Sequence, residues 1–325
     1  MSASSSSSRS KAIVFGCAGL RLSDVERRFF EAADPFGFIL FTRNVETPEQ
    51  VAGLVAELRQ CVGRGDAPVL IDQEGGRVQR LGPPHWRAAP CARSFAELAR
   101  TDIDTACDAA RLNARLIADD LSELGITVNC TPVLDVPAAD GHQIIGDRAF
   151  GDNPVIVTAL GRAVCEGLLA GGVLPVIKHL PGHGRAVSDS HLELPVVDAD
   201  LSELRKIDFA PFKNLCEMPW AMTAHVVYSA LDGENPATLS AEVVGQTIRK
   251  DIGFDGLLIS DDLSMKSLAG DFADRARAAL AAGCDVVLHC NGDLGEMTAI
   301  ADAVDALSIE AMVRIDAAER LRLLV

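Results

Sequence analysis

No stretch of this chain is apolar for the roughly twenty residues that a membrane-spanning helix takes. No GxGxxG or GxxxxGK[ST] run follows any of its apolar segments, so nucleotide-binding open sheets lose their main signature. The nine cysteines (Cys17, Cys61, Cys91, Cys107, Cys130, Cys165, Cys216, Cys284 and Cys290) are odd in number and show no CxxC or zinc-like spacing. That pattern fits buried free thiols in a reducing cytoplasm. Basic charge is short as well: 30 Lys and Arg face 46 Asp and Glu, for a net charge of −16. Neither nucleic acid nor an anionic membrane is expected as a partner, because phosphate backbones reward clustered Lys and Arg. Any anionic ligand must be held by a local basic pocket. The opening MSASSSSSRSKA has no apolar core of the kind a signal peptide needs, so residues 1–10 are expected to form a disordered Ser-rich leader on a cytoplasmic protein.

What is present is enough apolar residue, 48% of 325, for one large core. Short runs rich in Val and Ile alternate with longer helical patterns from end to end, the pattern of βα repeats around a parallel sheet. Eight runs qualify as strands: AIVFGCAG, GFILFT, PVLIDQEGG, ITVNCTPVLDV, VLPVIKHLPG, AMTAHVVY, GLLISDDLS and DVVLHCNG. Helical patterns such as TPEQVAGLVAELRQCVG and FADRARAALAAG follow them. Eight units predict a single-domain (β/α)8 TIM-type barrel over residues 11–325, with no Pro/Gly-rich linker to divide it. The long excursion PPHWRAAPCARSF, residues 83–95, is expected beside the barrel mouth after the third strand.

A parallel barrel carries its active site at the C-terminal ends of the strands. There the third strand ends in Asp72 and Glu74 and leads to Arg77 and Arg80. The fourth is followed by Asp147 and Arg148, the fifth ends in Lys178 and His179, the sixth ends near His225, and the seventh ends in Ser260, Asp261 and Asp262. Any one of these alone reads as a helix cap or a surface ion pair; five polar strand ends on one mouth read as a site. In SDDLSM only one acid can cap the next helix, which leaves the other for the mouth.

The segment VIKHLPGHGRAVSDSHLELP, residues 176–195, holds three histidines. His179 and His183 have the i, i+4 spacing of a zinc-binding helix, but Pro181, Gly182 and Gly184 break the helix that this spacing needs, so no metal is expected. The glycines suit a loop that moves or approaches a ligand closely. Asp189 and His191 stand two apart, close enough for the carboxylate to orient the imidazole and favour its protonated form. They are either an acid/base pair or a solvated loop pair.

Together IDQEGGRVQRL, KHLPGHG with DSHLELP, and FDGLLISDDLSM resemble, in order and rough spacing, the bacterial β-N-acetylglucosaminidases of glycoside hydrolase family 3, of the single-domain NagZ type. The resemblance implies that Asp261 is the nucleophile, His191 the general acid/base and Asp189 its partner. It implies that Asp72, Arg80, Arg148, Lys178 and His179 hold the sugar of the −1 subsite. No cofactor is implied. The implied reaction is double displacement with retention on terminal β-linked N-acetylglucosamine of muropeptide fragments. The family's larger β-glucosidases take their acid/base from a second domain, for which this chain leaves no length. Many relatives read PGHGDT where this chain reads PGHGRAV, so Arg185 replaces a loop acid. Two other readings compete: a Schiff-base lyase using Lys178, and a sugar-binding protein without catalysis.

Overall fold

The computed structural model describes residues 10–138, 145–186 and 194–324. Asp189 and His191, and residues 1–9 of the leader, lie outside the described residues.

Each of the eight apolar runs forms a strand: β1 (Lys11–Gly16), β2 (Pro35–Leu40), β3 (Val69–Ile71), β4 (Val128–Asn129), β5 (Leu174–Leu180), β6 (Trp220–Thr223), β7 (Leu257–Asp262) and β8 (Val286–His289). They pair in parallel with their chain neighbours, and β8 closes on β1 to complete the barrel. Inner side chains fill the barrel and outer ones meet the helices, so both faces of a strand are dry. That is why β2 (PFGFIL) is buried at all six positions and reads as a run rather than an alternation.

The helices between strands carry their own start signals. Thr47 accepts from the Gln50 amide and Pro48 occupies the first turn of Pro48–Cys61. Val51, Leu54, Val55 and Leu58 then recur at three- and four-residue steps and face the barrel. Burying one such side chain contributes about 1.5–3 kcal/mol, and Leu58→Ala would cost about 2–5 kcal/mol by leaving a cavity.

The excursion 83–95 folds onto a small antiparallel hairpin, Gln73–Gly75 with Val78–Gln79, that continues β3. The Gly76 amide donates to Ala89 O at 2.9 Å, and the Gln79 side chain joins the Ala89 amide to Arg87 O. Gly75 has φ of +99°, and a Cβ there would lie 2.3 Å from Pro90 O, so only glycine permits this approach. The hairpin carries Glu74 and leads into Arg80 at the mouth.

Candidate active site

The site begins with an alternation. Asp72 and Glu74 flank Gln73 at the end of β3. The Gln73 side chain accepts from the amides of Arg80 and Leu81, at 2.9 and 3.0 Å, while its own backbone exchanges two hydrogen bonds with the Asn129 side chain. These bonds turn the hairpin back so that Arg80 donates to Asp72 Oδ2 at 3.0 Å. From β5, Lys178 Nζ reaches Asp72 Oδ1 at 2.9 Å and Glu74 Oε1 at 2.7 Å. From the turn Gly146–Arg148, Arg148 donates through Nε and a terminal nitrogen to the two oxygens of Glu74, both at 2.8 Å. The result is one chain of charges, Arg80–Asp72–Lys178–Glu74–Arg148. The Arg80 Nε is buried without a hydrogen-bond partner among the described residues.

Burial opposes the ionisation of both acids, yet the adjoining cations prevail. Lys178 and Arg80 hold Asp72 well below the usual carboxylate range, and Arg148 with Lys178 brings Glu74 down to about 2. Burial also disfavours the Lys178 ammonium, but Asp72 and Glu74 raise its pKa above the ordinary lysine value. An amine held as a cation between two carboxylates is a poor Schiff-base nucleophile, which removes the main support for a lyase.

His179, the next residue on β5, follows a cis peptide. Its Nδ1 lies 2.7 Å from Asp135 Oδ2, while Asp135 Oδ1 accepts the amides of His179 and His183 at 3.2 and 2.7 Å. Asp135 is fully buried, and although burial resists its charge, His179 and the neighbouring donors bring it down to about 2. With Nδ1 turned to this acid, the other ring nitrogen of His179 is available to the mouth. His183 sits against the same acid on the turn after β5. Gly184 beside it lies so close to Val136 that a Cβ would stand 2.0 Å from Val136 O. The ring centres of His179 and His183 are 5.7 Å apart.

On the opposite wall the paired acids of β7 divide. Asp262 Oδ1 accepts the amides of Ser264 and Cys290, and Oδ2 accepts the Ser264 hydroxyl at 2.5 Å. It closes a local turn. It does not cap the next helix, which starts at Phe272 under Asp271, so the cap expected at SDDLSM is displaced. Asp261 makes one side-chain hydrogen bond among the described residues, from the Asp262 amide at 2.8 Å. Burial works against its charge, but His225, His179, that amide and Lys178 together hold its pKa below the ordinary value.

Asp72, Arg80, Arg148, Lys178, His179 and Asp261 therefore line one cavity of about 330 Å³, closed elsewhere by Phe41, Met222, Met265 and Leu288. The volume is at the lower end for small-ligand sites. The six described residues to which the resemblance gives a role come together; Asp189 and His191 lie outside the described residues. Sequence reasoning missed Asp135, whose only signal is a lone acid in the apolar run VLDV. It also missed Asp208, the partner of Arg185: Arg185 Nε donates to its Oδ2 at 2.7 Å, and a terminal nitrogen pairs with Glu203 at 3.0 Å.

Comparison with known proteins identifies the family. Residues 18–324 match the glycosyl hydrolase family 3 N-terminal domain. The β-hexosaminidase of Methylococcus capsulatus is 40% identical over 282 residues, 86% of this chain and 82% of that protein. The crystal structure of native NagZ from Neisseria gonorrhoeae superposes with a TM-score of 0.82 at 34% identity, covering 96% of this chain and 97% of the other. The same Neisseria protein has been solved in complex with N-trifluoroacetyl-D-glucosamine. A family 3 β-N-acetylglucosaminidase from Paenibacillus sp. str. FPU-7 gives a TM-score of 0.87 at 32% identity, with 96% of this chain covering 61% of that longer one.

Proposed function

The chain belongs to glycosyl hydrolase family 3, and from that premise we propose a retaining exo-β-N-acetylglucosaminidase that removes terminal β-linked N-acetylglucosamine from muropeptide fragments in the cytoplasm. The observation that carries this reading is Asp261. Its carboxylate stands ionised on the cavity wall with one hydrogen bond, while its neighbour Asp262 is spent on a turn. An anion left free beside cationic donors is what attack on an anomeric carbon requires. The −1 sugar would be held by Asp72, Arg80, Arg148, Lys178 and His179, whose donors and acceptors suit hydroxyls and an acetamido group. The Neisseria structure with N-trifluoroacetyl-D-glucosamine supports a sugar of this class.

In the first step Asp261 forms a bond to the anomeric carbon as the glycosidic bond breaks, and His191 gives its proton to the departing oxygen. In the second, His191 takes a proton from water, the water oxygen replaces Asp261, and the sugar leaves with its β configuration. Asp189 orients the imidazole and supports its charge. The roles of His191 and Asp189 rest on the resemblance of DSHLELP to the family.

The test uses leaving groups. A nitrophenolate departs without a proton, so His191→Ala should still form the glycosyl-enzyme from an activated substrate at a useful rate but fail on an unactivated sugar. Deglycosylation then limits turnover: a burst appears, and azide, which needs no deprotonation, restores the rate. Equal losses on both substrates, with no burst and no azide effect, would remove His191 from the mechanism.

A further inference from the structure

β2 ends at Leu40, and the next residue, Phe41, lines the sugar cavity. Its amide donates to Asn44 Oδ1 at 2.9 Å, and the buried Asn44 carboxamide donates in turn to Cys17 O and Gly19 O at 3.1 and 2.8 Å. The backbone that carries the ring is thereby tied to the loop after β1. Two guanidinium groups stand over this one ring: Arg43 Cζ lies 4.9 Å and Arg80 Cζ 5.2 Å from its centre. Arg43 is anchored on backbone, donating through Nε to Cys17 O at 2.9 Å and through a terminal nitrogen to Cys290 O.

Arg80 is held less firmly than the other arginine of the cavity. Arg148 grips both oxygens of Glu74 with two donors, a fork that sets the plane of its guanidinium. Among the described residues Arg80 donates one side-chain hydrogen bond, from a terminal nitrogen to Asp72 Oδ2, and its Nε is buried without an acceptor. A single bond lets a planar cation swing about it, and a buried N–H without an acceptor is costly. The negative face of an aromatic ring answers both, because it attracts a guanidinium within about 6 Å of its centre and gives it a surface to lie on. A leucine would fill much of the same space and offer no such field.

We propose that Phe41 is a positioning residue for sugar binding: its ring holds Arg80 in the orientation in which Arg80 meets the −1 sugar. The proposal rests on the glycosidase reading above and on the place which that reading gives Arg80. The test replaces Phe41 with leucine and with mono-, di- and trifluorinated phenylalanines, which weaken the negative face of the ring stepwise at nearly constant volume. On a chromogenic β-N-acetylglucosaminide, KM should rise step by step along the fluorinated series and reach about three- to thirtyfold in Phe41→Leu, more than kcat falls. In an Arg80→Ala background the same replacements should change KM by less than about twofold, because the cation they act through is gone. A flat fluorinated series overturns the proposal even where Phe41→Leu is impaired, since bulk alone would then matter. Equal rises with and without Arg80 overturn it as well, for the ring would then act on the sugar directly. If Arg80→Ala itself leaves KM unchanged, the proposal falls and the glycosidase stands. If the wild-type protein cleaves no β-N-acetylglucosaminide, the glycosidase reading falls and takes the proposal with it.

Discussion

An arginine-rich ion network closes each end of the barrel, and the two are wired differently. Below, at the start of β8, Asp285 accepts from Arg249 at 2.9 Å, from Arg314 at 2.7 Å and from the Leu258 amide at 2.9 Å. Both oxygens are spent, and no member faces the sugar cavity. Above, two acids share three cations that line the sugar cavity, and not every donor is taken up: Lys178 uses two of its three N–H groups in ion pairs, and the buried Arg80 Nε has no hydrogen-bond partner among the described residues. A saturated network can only hold the fold, whereas one with spare donors can also bind. The difference gives a local physical basis for the division of barrels into a chemical face and a stabilising face.

The largest effect should come from the upper end. Asp261→Ala should lower turnover by about 10⁴-fold or more, with little change in unfolding midpoint, because the carboxylate has one hydrogen bond to lose. Asp262→Ala should reverse that profile: three lost bonds cost about 1–3 kcal/mol of stability, and the folded fraction keeps most of its activity. Steady-state kinetics beside urea unfolding would separate the two, and equal losses of activity would undo the division between the neighbours.

Lys178→Met should damage both properties. Its ammonium is almost fully buried between Asp72 and Glu74, so removing it strands two carboxylates, at about 3–5 kcal/mol, and sugar binding should weaken roughly ten- to a hundredfold. At the other end Asp285→Ala should cost about 3 kcal/mol of stability and leave kcat/KM per folded molecule unchanged. If Asp285→Ala impaired catalysis in fully folded protein, the two ends would not be independent.

The barrel was legible because each strand is dry on both faces and so appears as an apolar run. The mouth was legible because those runs end in polar residues, and a parallel barrel sends all such ends to one place. Asp135 was not legible: its partners His179 and His183 lie 44 and 48 residues onward, and no local pattern ties them together. The SDD pair looked like a helix cap because Ser and Asp favour caps and turns alike; the position of the next helix decides which, and it begins under Asp271.

Asp208, the partner of Arg185 on the turn after β5, offers the smallest and most specific test. It is buried, spends Oδ2 on Arg185, and leaves Oδ1 without a partner among the described residues. Burial pushes its carboxyl up to about 6 from 3.8 in spite of Arg185. Between about pH 4 and 6 the folded protein therefore keeps a proton that the unfolded chain releases, and Asp208 subtracts stability as pH rises through that window. His183, on the adjoining turn, does the opposite. Burial pushes its imidazole down to about 4 from 6.5, so the unfolded chain binds the extra proton and stability grows as pH rises from about 4 to 6.5. The two slopes offset one another in the wild type. Asp208→Asn removes the first, keeps an acceptor for Arg185, and exposes the second. Relative to wild type, the variant should therefore gain about 2 kcal/mol between pH 4 and 6 and nothing further above it, read from urea midpoints at closely spaced pH values. Parallel curves for the two proteins would mean that Asp208 is ionised throughout, matched by Arg185 as fully as Asp285 is matched by its own two arginines.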